Sequence, residues 1–404
     1  MFELTGKYGT AKVYATTVED ECVSQIYGFM NSPVVEGCNI AIMPDTHAGK
    51  GSCIGFTQKI NGRVNPNMVG VDIGCGMLVL KISKEAGDII FNKPGLDKFD
   101  KIMHTKVPSG MDHRKTLHKF AKEIDITKLI ADADYSKELF AIGSLGGGNH
   151  FVEIDKDEAG DYYIVIHSGS RYLGIAVAKY WEDKAVEYHK NNSKAKNDLI
   201  NKLKREGREK DIQTELAKIP TVVVSKELSY LEGEDLNGYL HDMEIAQEFA
   251  RLNREAMLDV LVEEMGIKKR HILGKFCTIH NYIDIKNGIL RKGAISLMDG
   301  EEAIIPINMQ FGSLIVKGKG NPDWNYSGPH GAGRLMSRSK AKETLKMEDF
   351  KAAMKDIYTT SVCVSTIDEA PMAYKPADEI LENIKENAEI LSIIKPIYNF
   401  KAAE

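Results

Sequence analysis

The chain has 404 residues, 43% of them apolar, which suffices for a large core in one α/β unit or two domains and excludes disorder. Lys and Arg number 53 against 58 acids, a net charge of −5, which argues against a nonspecific nucleic-acid coat while leaving room for a local basic groove. No apolar run is long enough to span a bilayer, Met1 to Lys7 lacks the features of a signal peptide, and six scattered cysteines form no Cys-x-x-Cys pair, so a cytoplasmic protein with reduced thiols and no membrane partner is expected.

Lys12 to Ala15 reads as a short strand, and Glu19 to Met30 has helical spacing behind a Thr17 cap. Asn39 to Phe56 begins as a buried strand and ends in a polar, glycine-rich loop that carries Asp45 and His47. Functional side chains often sit at such strand ends, where the sheet fixes them and the loop leaves them accessible. Val69 to Leu80 reads as a buried strand interrupted by Asp72 and Cys75. A carboxylate in an apolar strand is costly unless it is paired or bound to a cation, so Asp-x-x-Cys points to metal ligands. A buried cysteine beside a hydrogen-bonded Asp is the plainer alternative.

Gly146-Gly-Gly-Asn-His-Phe-Val-Glu153 places Asn149, His150 and Glu153 after a glycine run at the start of a strand. The β-rich run from Tyr162 ends on His167, and the alternating run Lys275 to Ile285 carries His280 and Asn281. One such histidine is usually a satisfied core residue. Three of them with Asp72 and Cys75 suit a borderline divalent metal, or two sharing a thiolate, and fit Mn, Zn, Fe or Co better than Mg or Ca. The other histidines of the middle region lie in polar or helical contexts and are assigned no chemistry.

Residues from about 172 to 265 read as mostly helical. Lys190, Lys194, Lys196, Lys202, Lys204, Arg205, Arg208 and Lys210 make either an RNA-facing arm or a solvated helix face. Asn253 and Arg254 lie on what reads as a site-facing helix. Lys317 to Arg338 is glycine-rich around His330. Glycines let backbone N–H groups approach an anion, and a helix starting near Gly333 would set Arg334 and Arg338 on one phosphate. Pro376 opens a helix, and Ile390 to Phe400, followed by Lys401, reads as a strand.

Taken in order, Pro44-Asp-Thr-His-Ala-Gly-Lys-Gly51, Gly70-Val-Asp-Ile-Gly-Cys-Gly-Met77, Gly146 to Glu153, His167-Ser-Gly-Ser-Arg171, His280-Asn281, Arg291-Lys-Gly-Ala294 and Gly318 to Arg338 resemble the RtcB family of RNA-splicing ligases over essentially the whole length. The resemblance implies an α/β (α+β) fold. It would be a single catalytic domain over 1–404, with packed antiparallel sheets around a dinuclear metal site and a helical excursion at about 172–265. It implies an enzyme that joins RNA 3′-phosphate or 2′,3′-cyclic phosphate ends to 5′-hydroxyl ends, in splicing or repair, with GTP as co-substrate and two Mn²⁺ ions. The need for an activating protein partner stays open.

By the same resemblance, one ion is held by Asp72, Cys75 and His150. The other is held by Cys75, His167 and His280, with the thiolate bridging. His330 is the residue that becomes guanylylated. Nucleotide contacts are implied for Asn149, His150, Phe151, Val152, Glu153, His280, Asn281, Pro306, Ile307, Asn308, Met309, Ser313, His330, Gly331, Ala332, Gly333, Arg334, Tyr374 and Lys401. The alternatives are a dinuclear phosphoesterase acting on RNA ends without GTP, and a non-catalytic RNA-end-binding relative. Two departures stand out. Pro306-Ile-Asn-Met-Gln310 replaces a Pro-Gly-Ser-Met-Gly turn, and Ile307 and Gln310 adopt positive φ only at a cost, so a differently shaped nucleotide loop is expected. Lys401 is followed by Ala-Ala-Glu where the family tends to finish at Lys-Gly.

Overall fold

The computed structural model describes residues 1–217 and 224–402, with the backbone alone for 191–195, 197, 198 and 217. The side chain of Lys194 and the last two residues of the tail after Lys401 therefore lie outside the described residues.

Two curved sheets organise the chain. In the six-stranded sheet the order is Phe2–Thr5, Thr10–Val13, Ile40–His47, Ile54–Lys59, Ile289–Lys292 and Asn281–Asp284. All its neighbours are antiparallel except the second and third. In the larger sheet the order is Ile272–Ile279, Gly76–Ile82, Tyr162–Ser168, Phe151–Lys156, Ala388–Lys401, Gly312–Gly318 and Glu302–Asn308, with Tyr358–Thr359 parallel beside the 14-residue strand. The chain passes from one sheet to the other through a single residue, His280, between Ile279 and Asn281.

Period-two alternation shows why the larger sheet is buried on both faces. Val152 and Ile154 point with Leu78, Leu80, Ile164 and Ile166 toward the helices Lys93–Lys106 and Gly233–Met265. Phe151 points the other way, with Met77, Val79, Tyr163 and Val165, onto Ile304, Ile315 and Ile394 of the sheet's own far strands. The sheet therefore curls over itself. Register shifts at Pro396/Tyr398 and Ile315/Val316 supply the local bends this requires.

The helices Arg171–Arg205 and Gly233–Met265 pack on each other, and the second reaches both sheets. The second buries side chains along its whole length because its two halves serve different cores. Leu236, Tyr239, Met243 and Ala246 pack beneath the six-stranded sheet, and Met257, Leu258 and Leu261 beneath the larger one. It ends on Gly266 at φ 69°, where a left-handed residue closes the last turn at no Cβ cost.

Three local expectations are corrected. The first helix, Asp20–Met30, is preceded by Glu19 as its cap rather than Thr17. Residues 69–75 form a loop, and the strand begins only at Gly76, so Asp72 and Cys75 precede it rather than interrupt it. No helix begins near Gly333, because Arg334 bridges Tyr374 as an isolated β pair and the helix starts at Arg338, capped by the Ser337 hydroxyl. In the basic stretch, Lys202 and Arg208 pair with Glu206 and Asp211. Among the described residues no helix is long and apolar enough to cross a membrane.

Candidate metal centre and nucleotide pocket

Four neighbouring strands of the larger sheet deliver the ligand candidates to one edge. His280 follows Ile272–Ile279, Cys75 precedes Gly76–Ile82, His167 is the penultimate residue of Tyr162–Ser168, and His150 precedes Phe151–Lys156. Antiparallel pairing alternates starts with ends, so these positions come level. Gly76 pairs with Ile279 and Ser168, and His167 with Phe151. Cys75 Sγ lies 3.3 Å from Nε2 of His167 and 3.5 Å from Nε2 of His150, and Asp72 Oδ2 lies 3.0 Å from the same His150 nitrogen. Donor atoms of Asp72, Cys75 and His150 fall within 4.8 Å of one another, as do those of Cys75, His167 and His280. The structure thus brings together both ligand sets that the resemblance implies, with Cys75 common to each.

The hydrogen bonds around the imidazoles set their tautomers. Nδ1–H of His150 donates to Leu145 O at 2.8 Å, and Nδ1–H of His167 donates to Asn149 O at 3.1 Å. His167 therefore turns an Nε2 lone pair toward the thiol, the orientation a metal ligand needs, while Nε2 of His150 faces both the thiol and the Asp72 carboxylate. Nδ1 of His280 is buried with no protein partner among the described residues, which fits a missing electrophile. Burial, reinforced by neighbouring imidazoles, holds His167 and His280 well below their ordinary values, so both are neutral donors near pH 7. Burial pushes the Asp72 carboxyl up, but hydrogen bonding to His150, the charge of that ring and Cys75 outweigh it and bring the group to about 2. Burial and adjacent Asp72 raise the Cys75 thiol well above its usual range. A divalent cation among these donors reverses that penalty, because a coordinated thiol deprotonates.

The helix Gly233–Met265 braces this edge from behind. Asn253 accepts N–H groups of Gly143 and Ser144 at 2.8 and 3.0 Å and donates to Ser168 Oγ and Gly169 O at 3.1 and 3.0 Å. Arg254, 1% exposed, donates to Gly74 O and Ser168 O, both at 2.7 Å. One helix turn thereby ties the loop before Cys75 to the strand bearing His167, as its site-facing reading anticipates.

His330 stands beside this centre, its ring centroid 5.0 Å from that of His280. Asp45, wholly buried at the end of Ile40–His47, receives Nδ1–H of His330 at 2.6 Å and the backbone N–H groups of His330 and Gly331 at 3.1 and 3.2 Å. Gly333, at φ 78°, lets the following chain run against Asp45, because a Cβ there would stand 2.5 Å from Asp45 O. With Nδ1 committed, the Nε2 lone pair of His330 is left for the pocket. His47 lines the same pocket; its Nδ1–H donates to Asp45 O at 2.9 Å, and burial lowers the ring to about 4.

The pocket is lined by Asn149, Phe151, Glu153, His280, Asn281, Pro306, Ile307, Asn308, Met309, Ser313, His330, Gly331, Ala332, Gly333, Arg334, Tyr374 and Lys401 among the sequence candidates. His150 lies instead in the metal cluster. Strand alternation sends the Val152 side chain into the opposite core, while those of Phe151 and Glu153 face the pocket. Gly312, at φ 95°, carries the positive backbone angle of the 306–313 turn, which spares Ile307 and Gln310. Asn308 Oδ1 closes the turn by accepting N–H of Gln310 and Phe311 at 3.0 and 2.8 Å.

Arg334 and Arg338 converge, as expected, but on carboxylates. Arg338 meets the carboxylates of Asp368 at 2.6 Å and Glu369 at 2.7 Å, and Arg334 reaches the carboxylate of Glu369 at 3.4 Å while donating to the backbone carbonyl of Asp368 at 2.6 Å. Arg338, expected on a phosphate, and Glu369, to which the sequence assigns no role, both line the pocket. Glu369 carried no signal beyond its place in Asp368-Glu-Ala-Pro-Met-Ala-Tyr-Lys375, since its partners lie up to 35 residues away. Opposite it, burial raises Glu153 to about 7, although Asn399 donates to it at 2.6 Å and Lys401 stands near.

Fold and site together define a mixed α/β protein whose clustered carboxylate, thiol and imidazole side chains could hold divalent cations, beside a pocket that presents an oriented imidazole. The family model described as "tRNA-splicing ligase RtcB" matches residues 25–136 and 123–402. The chain is 33% identical to "RNA-splicing ligase RtcB" of Escherichia coli K12 and to "RNA-splicing ligase RtcB1" of Escherichia coli ATCC 25922, each over 89% of both chains. It is 26% identical to "tRNA-splicing ligase RtcB" of Aeropyrum pernix, over 84% of this chain and 83% of that one. The chain belongs to the RtcB family.

Proposed function

We propose that this chain is an RNA ligase that uses GTP and Mn²⁺ to join a 3′-phosphate or 2′,3′-cyclic phosphate end to a 5′-hydroxyl end. The observation that carries the reading is the pairing of His330 Nδ1 with Asp45 at 2.6 Å beside the ligand cluster. An imidazole whose Nδ1–H is fixed by a buried carboxylate keeps Nε2 as a nucleophile and has its developing positive charge stabilised. The ligand chemistry supports two ions. Asp72, Cys75 and His150 would hold one, and Cys75, His167 and His280 the other. When bound, they would supply charge neutralisation at phosphoryl oxygens and ease loss of a hydroxyl proton.

Nε2 of His330 attacks the α-phosphorus of GTP, and the bond to the β-phosphate oxygen breaks as pyrophosphate leaves. The 3′-phosphate of the RNA then displaces the imidazole and takes the GMP, which leaves His330 neutral again with its proton still on Nδ1. The 5′-hydroxyl attacks that activated phosphorus, gives up its proton and expels GMP. A cyclic phosphate is first opened by water to the 3′-phosphate. Guanine suits the far end of the pocket, because its edge offers acceptor O6 to the ammonium of Lys401 and donors N1–H and N2–H to the carboxylate of Glu153.

The test is incubation with α-labelled GTP and Mn²⁺. Acid-labile label, stable to base, is expected on the protein and absent from His330→Ala. Label that persists in that variant sinks the nucleophile, and ligation without GTP sinks the mechanism.

A further inference from the structure

Glu369 belongs to none of the ligand sets described above, yet one carboxylate gathers four donors from three separate segments. Oε2 accepts the Tyr374 hydroxyl at 2.8 Å and the Lys401 ammonium at 2.8 Å. Oε1 faces Arg338 at 2.7 Å and Arg334 at 3.4 Å. Its side chain is 3% exposed and that of Lys401 6%. A buried ammonium is costly unless an anion faces it, so Lys401 needs a carboxylate within reach. Two are available. Strand pairing sets Lys401 opposite Phe151, with Asn399 opposite Glu153, and the charge of Lys401 is felt at Glu153. The ammonium nevertheless goes to Glu369, and Glu153 is left with an amide donor from Asn399.

We infer that Glu369 is a positioning residue for base selection: by holding Lys401 away from Glu153 it keeps a donor and an acceptor separate at the base end of the pocket. This rests on the GTP-dependent reading. Without the Glu369 charge, Lys401 closes on Glu153, the two cancel, and the edge of a guanine finds neither its donor nor its acceptor. Tyr374, on the same oxygen, loses its anchor as well. The His330–Asp45 pair and the ligand cluster share no hydrogen bond with Glu369, so the chemical step itself is spared.

The test is single-turnover labelling of His330 by GTP and by ATP, alongside equilibrium GTP binding and thermal unfolding, in the wild type and in Glu369→Gln. Loss of a charged hydrogen-bond partner is worth roughly 10- to 100-fold. The expected result is therefore a KM for GTP about tenfold or more higher, a GTP-over-ATP preference lower by a similar factor, and a saturating rate within about threefold of wild type. A purely structural role predicts the reverse: fewer active molecules, with unchanged KM and unchanged base preference. In a Lys401→Met background, adding Glu369→Gln is expected to change KM by less than about threefold, and independent multiplication of the two effects overturns the inference. Should Glu369→Gln fail to fold, Glu369→Asp keeps the charge but shortens its reach; an intermediate rise in KM supports the inference, and an unchanged KM overturns it. A wild type that binds GTP but is never labelled defeats the ligase reading alone, since the Glu369 effect is then still read as a change in Kd.

Discussion

Asp45 Oδ2 lies 2.6 Å from Nδ1 of His330 and also takes the backbone N–H of His330 and of Gly331, so a single buried oxygen fixes both the ring and the chain that carries it. The arrangement dictates the tautomer as well as the position. Asp45→Asn keeps the shape but can turn an N–H toward Nδ1, which drives the proton to Nε2 and removes the nucleophilic lone pair. Labelling of His330 by GTP is expected to fall by roughly 10²- to 10⁴-fold, as for other imidazoles that lose an orienting carboxylate. Metal content should be unchanged, because Asp45 touches none of the ligand side chains. A rate within threefold of wild type in Asp45→Asn would show that the pair is only structural.

Cys75 is the one donor common to both ligand sets. Cys75→Ala should therefore strip both ions, whereas His280→Ala should spare the set built from Asp72, Cys75 and His150. Orienting partners alone are commonly worth 10- to 100-fold in metal affinity, so loss of a shared ligand should cost roughly 100-fold or more. Metal content after dialysis against Mn²⁺, read by elemental analysis, separates the cases. Equal retention by the two variants would contradict a bridging thiolate. Chelator treatment of the wild type should abolish labelling, and added Mn²⁺ should restore it.

How much of this was legible beforehand follows from the range of the interactions. Asp72, Cys75, His150, His167 and His280 announce themselves locally, as polar residues beside glycines or at the ends of apolar runs. Their convergence depends on antiparallel register among strands 76–82, 151–156, 162–168 and 272–279, which no single segment encodes. Asp45 was visible as a strand-end carboxylate, but its partner lies 285 residues away, so the role could not be read. Val152 sits between two pocket-lining residues of one motif, yet a two-residue period turns its side chain to the other face. Arg334 and Arg338 share no helix, because the cap at Ser337 starts it only at Arg338, and Asp368 and Glu369, 30 or more residues further along the chain, meet the guanidiniums. The long helices, with dense helix-forming composition, needed no tertiary information to be recognised.

The turn over 306–312 depends on one side chain. Asn308 Oδ1 accepts two backbone N–H groups, from Gln310 and Phe311, in a loop that lines the pocket. Asn308→Ala leaves both donors without this partner. Destabilisation of about 1–2 kcal/mol is expected in chemical denaturation, together with a several-fold rise in KM for GTP. Asn308→Asp, which preserves the acceptor, should recover most of both. Failure of Asp to recover either would place the role of Asn308 outside the turn.

Glu153 gives stability and nucleotide binding opposite dependences on pH. Burial raises its carboxyl from an ordinary 4.5 to about 7, so the folded chain binds this proton more tightly than the unfolded chain. The associated stability is fully present below about pH 4.5 and is lost as pH rises through 7. By linkage the amount is on the order of 3 kcal/mol. Guanine N–H donors need the ionised carboxylate, so GTP affinity should move the other way, weakening up to about tenfold per pH unit below 7. Glu153→Gln removes this group and should flatten the GTP-affinity profile between pH 5 and pH 7.5 and make the stability profile shallower, the remainder coming from buried Asp155, which is likewise raised by burial and by the Glu153 charge. The readouts are denaturation midpoints without nucleotide and the Kd of GTP across the same range. If the variant retains the wild-type slope in both, another group titrates and Glu153 is not the acceptor at the base end of the pocket.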